Sequence, residues 1–148
     1  MPLKIVGYTI AAIPLFYVSI VLFGAPIFSN FFETFILSCF LSVLSVAPII
    51  YSTNGHHSII QELIFDLTPS TKSQYHSLRS SLGTIIGAWI GAFVIPLDWD
   101  RWWQEWPLPC LFGAFAGFVI GLVESFVELQ LTPPSKRRQK YSKSDKIM

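Results

Sequence analysis

The chain has 148 residues, of which 52% are hydrophobic and 13% charged, with a net charge of +1. Ordinary soluble domains carry about 25% charged residues. Here the deficit is gathered into long windows without any charge, which points away from a soluble core and toward a membrane protein, and the near-neutral balance singles out no nucleic-acid partner.

The first apolar segment, about 5–23, follows Lys4. It could pass for a secretory leader, but it exceeds the usual ~7–15-residue apolar stretch and holds Pro14, so it reads as a retained span. The turn "FGAPIFSNFFE" has no basic residue. Asn30 and Glu33 have capping-box spacing, and Glu33 suits the positive end of a helix dipole, which predicts a helix starting near residue 30. The second apolar segment is then about 31–50. A polar middle loop, about 51–79, carries Lys72, Arg79, His56, His57, Glu62, Asp66 and His76. The His and carboxylate spacing matches no common metal signature, so a solvated loop is expected.

The third segment, about 80–97, borrows Ser80 and Ser81 and contains "GTIIGAWIG", with Gly83, Gly87 and Gly91. The fourth, about 108–131, contains "GAFAGFVIG", with Gly113, Gly117 and Gly121. Each triple repeats every four residues and so marks one helix face. Glycine has no helical merit of its own; in a membrane helix it lets another backbone approach closely. An antiparallel hairpin of the two segments is expected, or a groove on each for another helix. Cys39 and Cys110 both lie in apolar segments and read as buried free thiols rather than a disulfide framework.

Between these segments "IPLDWDRWWQEWPLP" holds Trp99, Trp102, Trp103 and Trp106 at helical spacing i, i+3, i+4, i+7. Asp100, Arg101, Gln104 and Glu105 fall on the other face, Asp98 can cap, and Pro96 and Pro107 bound the stretch. An amphipathic helix over 98–106 lying at the bilayer surface is expected, with an Arg101–Glu105 pair worth about 0.3–0.5 kcal/mol. It serves either as a set of aromatic anchors or as a surface for a lipid headgroup or partner protein. Glu124 and Glu128, one turn apart near the end of the fourth segment, are expected to snorkel toward Arg137 and Arg138 or to meet a partner helix.

Six of the ten basic residues lie in the last thirteen positions, after Pro133 and Pro134. Residues 135–148 are therefore expected to be a disordered cytoplasmic tail, behind a membrane domain at 1–134. Lys146 lacks the neighbour of a dilysine retrieval signal, so retrieval by the tail is weak. Basic residues prefer the cytoplasmic side, which puts both termini and the middle loop there and the first and third loops opposite. The fold class expected is an all-α integral membrane protein of about four spans, with a short interfacial helix between the third and fourth.

Residues 87–114, "GAWIGAFVIPLDWDRWWQEWPLPCLFGA", resemble the closing signature of the PIG-F family of glycosylphosphatidylinositol (GPI)-anchor biosynthesis proteins. The matching positions include Gly87, Trp89, Pro96, Asp98, Trp99, Asp100, Arg101, Trp103, Gln104, Trp106 and Pro107. A second patch, residues 21–38, is similar through Gly24, Ala25 and Pro26 and through Glu33, Thr34 and Phe35. Trp102 stands where the family usually has proline. Family members have about six spans and this chain about four, so either the extra pair is dispensable or the chain is a truncated form.

The resemblance implies a non-catalytic subunit of the endoplasmic reticulum membrane that stabilises the ethanolamine phosphate transferases acting on the second and third GPI mannoses. It implies no cofactor; its partners would be the large catalytic subunits, membrane lipids and GPI intermediates. Metal-assisted phosphoryl transfer needs carboxylate and His ligands around a shaped cavity. The loops assigned to the far side hold no His, and Asp98 and Asp100 lack a third ligand, so no metal site is expected. The rival reading is a membrane-embedded transferase acting on a lipid-linked substrate through Asp98, Asp100 and Arg101. A small transporter would want polar residues along a midplane path, and these helices offer few beyond Ser and Thr.

Overall fold

The computed structural model describes residues 2–25, 30–97 and 101–131. Four long helices form: α1 (Pro2–Leu22), α2 (Phe31–Ser52), α4 (Lys72–Ala92) and α5 (Leu108–Leu131). A single turn, α3 (His57–Gln61), runs into a π-helical turn (Glu62–Asp66), and a 3-10 turn (Trp102–Gln104) precedes α5. α1, α2 and α5 are long and apolar enough to cross a membrane. α4 matches them in length, but its first turns carry Lys72, His76 and Arg79.

Local chemistry sets the ends. At the end of α1, Ala25 N–H reaches Ile20 O and Gly24 N–H reaches Val21 O, with Gly24 at φ +104°. This is a Schellman close, in which the left-handed residue is most easily glycine. α2 closes the same way on Asn54, at φ 54°, through Gly55 N–H to Ile50 O. Its start at Phe31 is where the sequence placed it, yet the Asn30 side chain makes no capping bond. The capping box lies instead on α4: Gln74 N–H donates to Thr71 Oγ1 and Gln74 Oε1 accepts from Thr71 N–H, each at 3.2 Å. That cap starts α4 at Lys72, about two turns before the apolar run, so His76 and Arg79 are helical residues and not part of a loop.

The order of packing is α1 on α2, α2 on α4, and α4 on α5. Leu37, Leu41, Ala88, Cys110 and Ala114 form one buried cluster, and Ile49, Leu63 and Leu78 a second. Cys110 is buried, whereas Cys39 is only half-buried. Much of the interior is small and hydroxylic. Thr34, Ser38, Ser42 and Ser45 of α2 and Ser77, Ser80, Ser81 and Thr84 of α4 are all buried.

Most of these hydroxyls donate to a carbonyl three or four residues back, as Thr84 does to Ser80 O at 2.8 Å and Ser80 to Ser77 O at 3.1 Å. Two cross between helices: Ser81 Oγ donates to Ser45 O at 2.6 Å, and Ser42 Oγ donates to Thr9 O. Apolar lipid gives helices no hydrophobic reason to associate, so small side chains and such bonds, about 0.6 kcal/mol each on average, hold the seam. α1 buries no residue of its own. Besides the Ser42 bond, it is tied by Tyr8 Oη to His57 Nε2 at 2.7 Å.

The expected surface helix over 98–106 is not what residues 101–106 form. Arg101 (φ −109°, ψ 141°) and Glu105 (φ −65°, ψ 136°) are both extended, and only Trp102–Gln104 turns. The tryptophans at 102, 103 and 106 therefore share no helical stripe. The ion pairs among the described residues are those of Arg79, so the Arg101–Glu105 pair is not among them. Asp98, Trp99 and Asp100 lie outside the described residues, as does the basic tail.

Candidate functional site

α4 does not stop cleanly. Beyond Ala92 the chain continues in tight turns, with Phe93, Val94, Ile95 and Leu97 donating to carbonyls three residues back. Carbonyls left over at such an end need donors, and Gln104 supplies them. Its Nε2 donates to Val94 O at 3.0 Å and to Leu97 O, while its Oε1 accepts from Arg101 N–H at 3.2 Å. Gln104 is 9% exposed. One amide side chain thus ties the end of α4 to the Trp-rich turn. This is also why Arg101 is extended: its N–H is committed to Gln104 rather than to a helical carbonyl.

Two residues on, Trp106 Nε1 donates to Thr34 Oγ1 at 3.1 Å, and Thr34 donates in turn to Asn30 O at 2.8 Å. Thr34 is fully buried. The two motif patches of the sequence therefore meet in space, "WQEWP" through Trp106 and "ETF" through Thr34. Trp106 also packs on the cluster around Leu37 and Leu41. Trp102 points outward, 71% exposed, Arg101 and Glu105 are exposed, and Trp103 is half-buried. Beside this turn a mostly apolar cavity of about 950 Å³ opens between α1, α2 and α4, with Trp89, Trp106, Phe16 and Phe23 on its walls.

The six ladder glycines lie along the contact between α4 and α5. A Cβ placed on Gly83 would come within 3.0 Å of Gly117 O, and one on Gly117 within 3.0 Å of Gly83 O. Gly87 and Gly113 form the same reciprocal pair, Gly91 meets Pro109 O, and Gly121 meets Arg79 O. Each step of four along α4 is matched by a step of four back along α5. With hydrogens in place of side chains, the Cα–H bonds point at the facing carbonyls, a contact worth about 0.5–1 kcal/mol.

The other end of this hairpin is charged. Arg79 pairs with Glu124 at 3.4 Å and with Glu128 at 3.2 Å, and Tyr75 Oη donates to Glu128 Oε2. These carboxylates thus meet α4 of the same chain, and Arg137 and Arg138 lie outside the described residues. His76 Nδ1 lies 2.6 Å from the hydroxyl of buried Ser125, and its ring packs on Phe126. The middle-loop histidines are separated: His56 is exposed, His57 is on Tyr8, and His76 is about one turn into α4. Among the described residues no group of three His, Cys, Asp or Glu side chains could hold a metal.

The sequence reading named Thr34 only as a position of the second motif patch and did not see its partner Trp106 or the buried hydroxyl stripe. The stripe's spacing carried a signal, since 34, 38, 42 and 45 share one face of α2.

Described residues that are helical or in turns, three helices of membrane length and composition, a backbone-to-backbone hairpin and a tryptophan turn locked onto a neighbouring helix are the pattern of an all-α integral membrane protein. The family described as "GPI biosynthesis protein family Pig-F" matches residues 2–126, and the chain belongs to it. The "Glycosylphosphatidylinositol anchor biosynthesis protein 11" of Yarrowia lipolytica is 37% identical over 113 residues, 76% of this chain and 48% of the relative. The human "GPI ethanolamine phosphate transferase, stabilizing subunit" is 38% identical over 111 residues, 74% of this chain and 50% of the relative. A Candida albicans protein named like the first is 39% identical over 119 residues, 80% of this chain and 44% of the relative. The chain spans about half the length of these relatives. No solved structure matches it.

Proposed function

We propose that the chain acts as a non-catalytic stabilising subunit in the endoplasmic reticulum membrane, holding a large ethanolamine phosphate transferase subunit that modifies GPI mannoses. The observation that carries this is the bond between Trp106 and Thr34. It joins the family's two sequence patches, which supports reading them as a structural lock that presents the Trp-rich turn. The human relative's name, a stabilizing subunit, supports the reading.

In this arrangement all four long helices span the bilayer. Both termini, the α2–α4 connection and the basic tail face the cytoplasm. The turns around 23–30 and 93–107 face the lumen. Of the described residues, Arg101, Trp102 and Trp103 offer the surface proposed to meet the partner or lipid, while Gln104 and Trp106 turn inward and hold it in place; the same role is proposed for Asp98, Trp99 and Asp100, which lie outside the described residues. The glycine ladders build the hairpin behind it.

The test is co-purification in mild detergent. The chain is expected to carry the catalytic subunit with it, Trp102→Ala is expected to weaken that association, and the purified chain alone is expected to show no transfer. Turnover by the chain alone, lost in Arg101→Ala, would establish the rival transferase reading instead.

A further inference from the structure

The connection between α2 and α4 holds Ile60, Leu63, Ile64 and Leu67 at i, i+3, i+4 and i+7, the spacing of one α-helical face. The structure splits that set. α3 gives way to the π-helical turn over Glu62–Asp66, and Leu67 sits at φ 53°. Ile60 and Leu63 are buried, whereas Ile64, Phe65 and Leu67 are 47%, 79% and 53% exposed. A π turn and a left-handed leucine are both uncommon, and π turns gather at functional sites.

Depth decides what the outward set meets. Leu63 shares a buried cluster with Ile49 and Leu78. Ile49 lies about 4–5 Å before the end of α2, and Leu78 lies about 9 Å into α4. α2 has 22 residues, a length of about 33 Å against a hydrocarbon core of about 30 Å. The level of Ile49 is therefore the margin of the hydrocarbon. The connection folds back to that level instead of standing out in water.

We infer that Ile64, Phe65 and Leu67 dip into the lipid surface, so that the middle connection, expected from the sequence to be solvated, anchors the α2–α4 end of the bundle to the bilayer. Gln61, Glu62 and Asp66 are exposed on the same turns, and they choose between occupants. A protein docked over Phe65 would bury the carboxylates on either side of it, and charged groups are depleted at the centre of protein interfaces. A bilayer surface takes up the apolar side chains and leaves the carboxylates among hydrated headgroups. Tyr51, exposed in the last turn of α2, suits the same interfacial level. No Lys or Arg lies between 56 and 71, so the anchoring is apolar and calls for no anionic lipid. The inference uses the membrane passage of α2 and not the accessory role.

The experiment uses the full chain in opened cell membranes, so that a charged maleimide reaches both faces. Phe65→Cys and Ser70→Cys each replace an exposed side chain, and the unsubstituted chain gives the background from Cys39 and Cys110. Only a thiolate reacts, and a thiol in apolar surroundings keeps its proton. Labelling at 65 is expected to be at least about tenfold slower than at 70, the equivalent of one pH unit in thiolate fraction, and to match it once the protein is unfolded in denaturant. A photo-crosslinking residue in place of Phe65 is expected to give adducts of lipid mass, in membranes rich in phosphatidylcholine as in those with anionic lipid. Equal labelling of 65 and 70 in the membrane would overturn the inference by showing a solvated connection, and adducts to another protein would overturn it by showing a docking surface. A chain that fails to hold the catalytic subunit would remove the accessory role and leave this inference standing.

Discussion

Gly117→Ala adds one methyl group, and the structure says where it goes. The new Cβ would lie within 3.0 Å of Gly83 O, its carbonyl carbon and the Cα of Gly87 no farther than 3.1 Å, whereas ordinary contact begins near 3.4 Å. All three are backbone atoms, so no side chain can swing aside. The helices must part, and parting them at one rung loosens the reciprocal contacts at Gly87 and Gly113 as well. Overpacking of this kind costs about 1–3 kcal/mol, to which lost Cα–H contacts add about 0.5–1 kcal/mol each. At about 2–4 °C per kcal/mol for a chain of this size, the thermal midpoint falls by about 3–16 °C. Gly7 supplies the control, because a Cβ there meets nothing within 4 Å. Gly7→Ala should be neutral or slightly stabilising, since glycine costs up to ~1 kcal/mol against alanine in a helix. The assay is thermal unfolding of the detergent-solubilised protein followed by tryptophan fluorescence and size exclusion. Equal midpoints for Gly117→Ala and Gly7→Ala would refute the close-packed hairpin.

Trp106→Phe and Thr34→Val should each cost about 0.5–1.5 kcal/mol, and the double variant little more than either, because both remove the same bond; a double-mutant cycle in the same assay reads this. Gln104→Leu strands Leu97 O and Arg101 N–H and leaves Val94 O only its bond from Leu97 N–H, so a loss of about 1–3 kcal/mol and faster exchange of the Leu97 and Arg101 amides are expected. Arg79→Ala should destabilise at neutral pH by about 1–3 kcal/mol. That deficit should shrink at high ionic strength, which screens the partly exposed pairs with Glu124 and Glu128; paired melts of wild type and variant at low and high salt measure it.

Helix ends and the glycine repeats were readable because each follows from short-range spacing. α2 and α5 start where the apolar runs do. The start of α4 was hidden because Gln74, Ser77 and Ser81 look polar in a sequence, although each is buried against other helices or satisfied by a capping bond. Hydropathy alone cannot show that a serine has already spent its proton on its own helix. The tryptophan stretch misled for the opposite reason. Its periodicity fits a helix, but so short a helix is marginal by itself, and Gln104 offers the backbone around 94–101 a better set of partners. The Arg79 cluster depended on which residues of α4 face Glu124 and Glu128, a long-range fact that no local pattern contains.

A zipper with evenly spaced teeth can be fastened one tooth out. Sliding α5 by four residues, about 6 Å, would set Gly83, Gly87 and Gly91 opposite Gly121, Gly117 and Gly113, a fit at least as permissive sterically as the one observed. Shape alone therefore does not choose the alignment. The same slide would carry Ser125 a turn past His76, draw Glu128 past Tyr75 and pull Trp106 from Thr34. The polar fastenings at the two ends act as the key that admits one notch, so a variant lacking both should populate two hairpin alignments where the native chain has one.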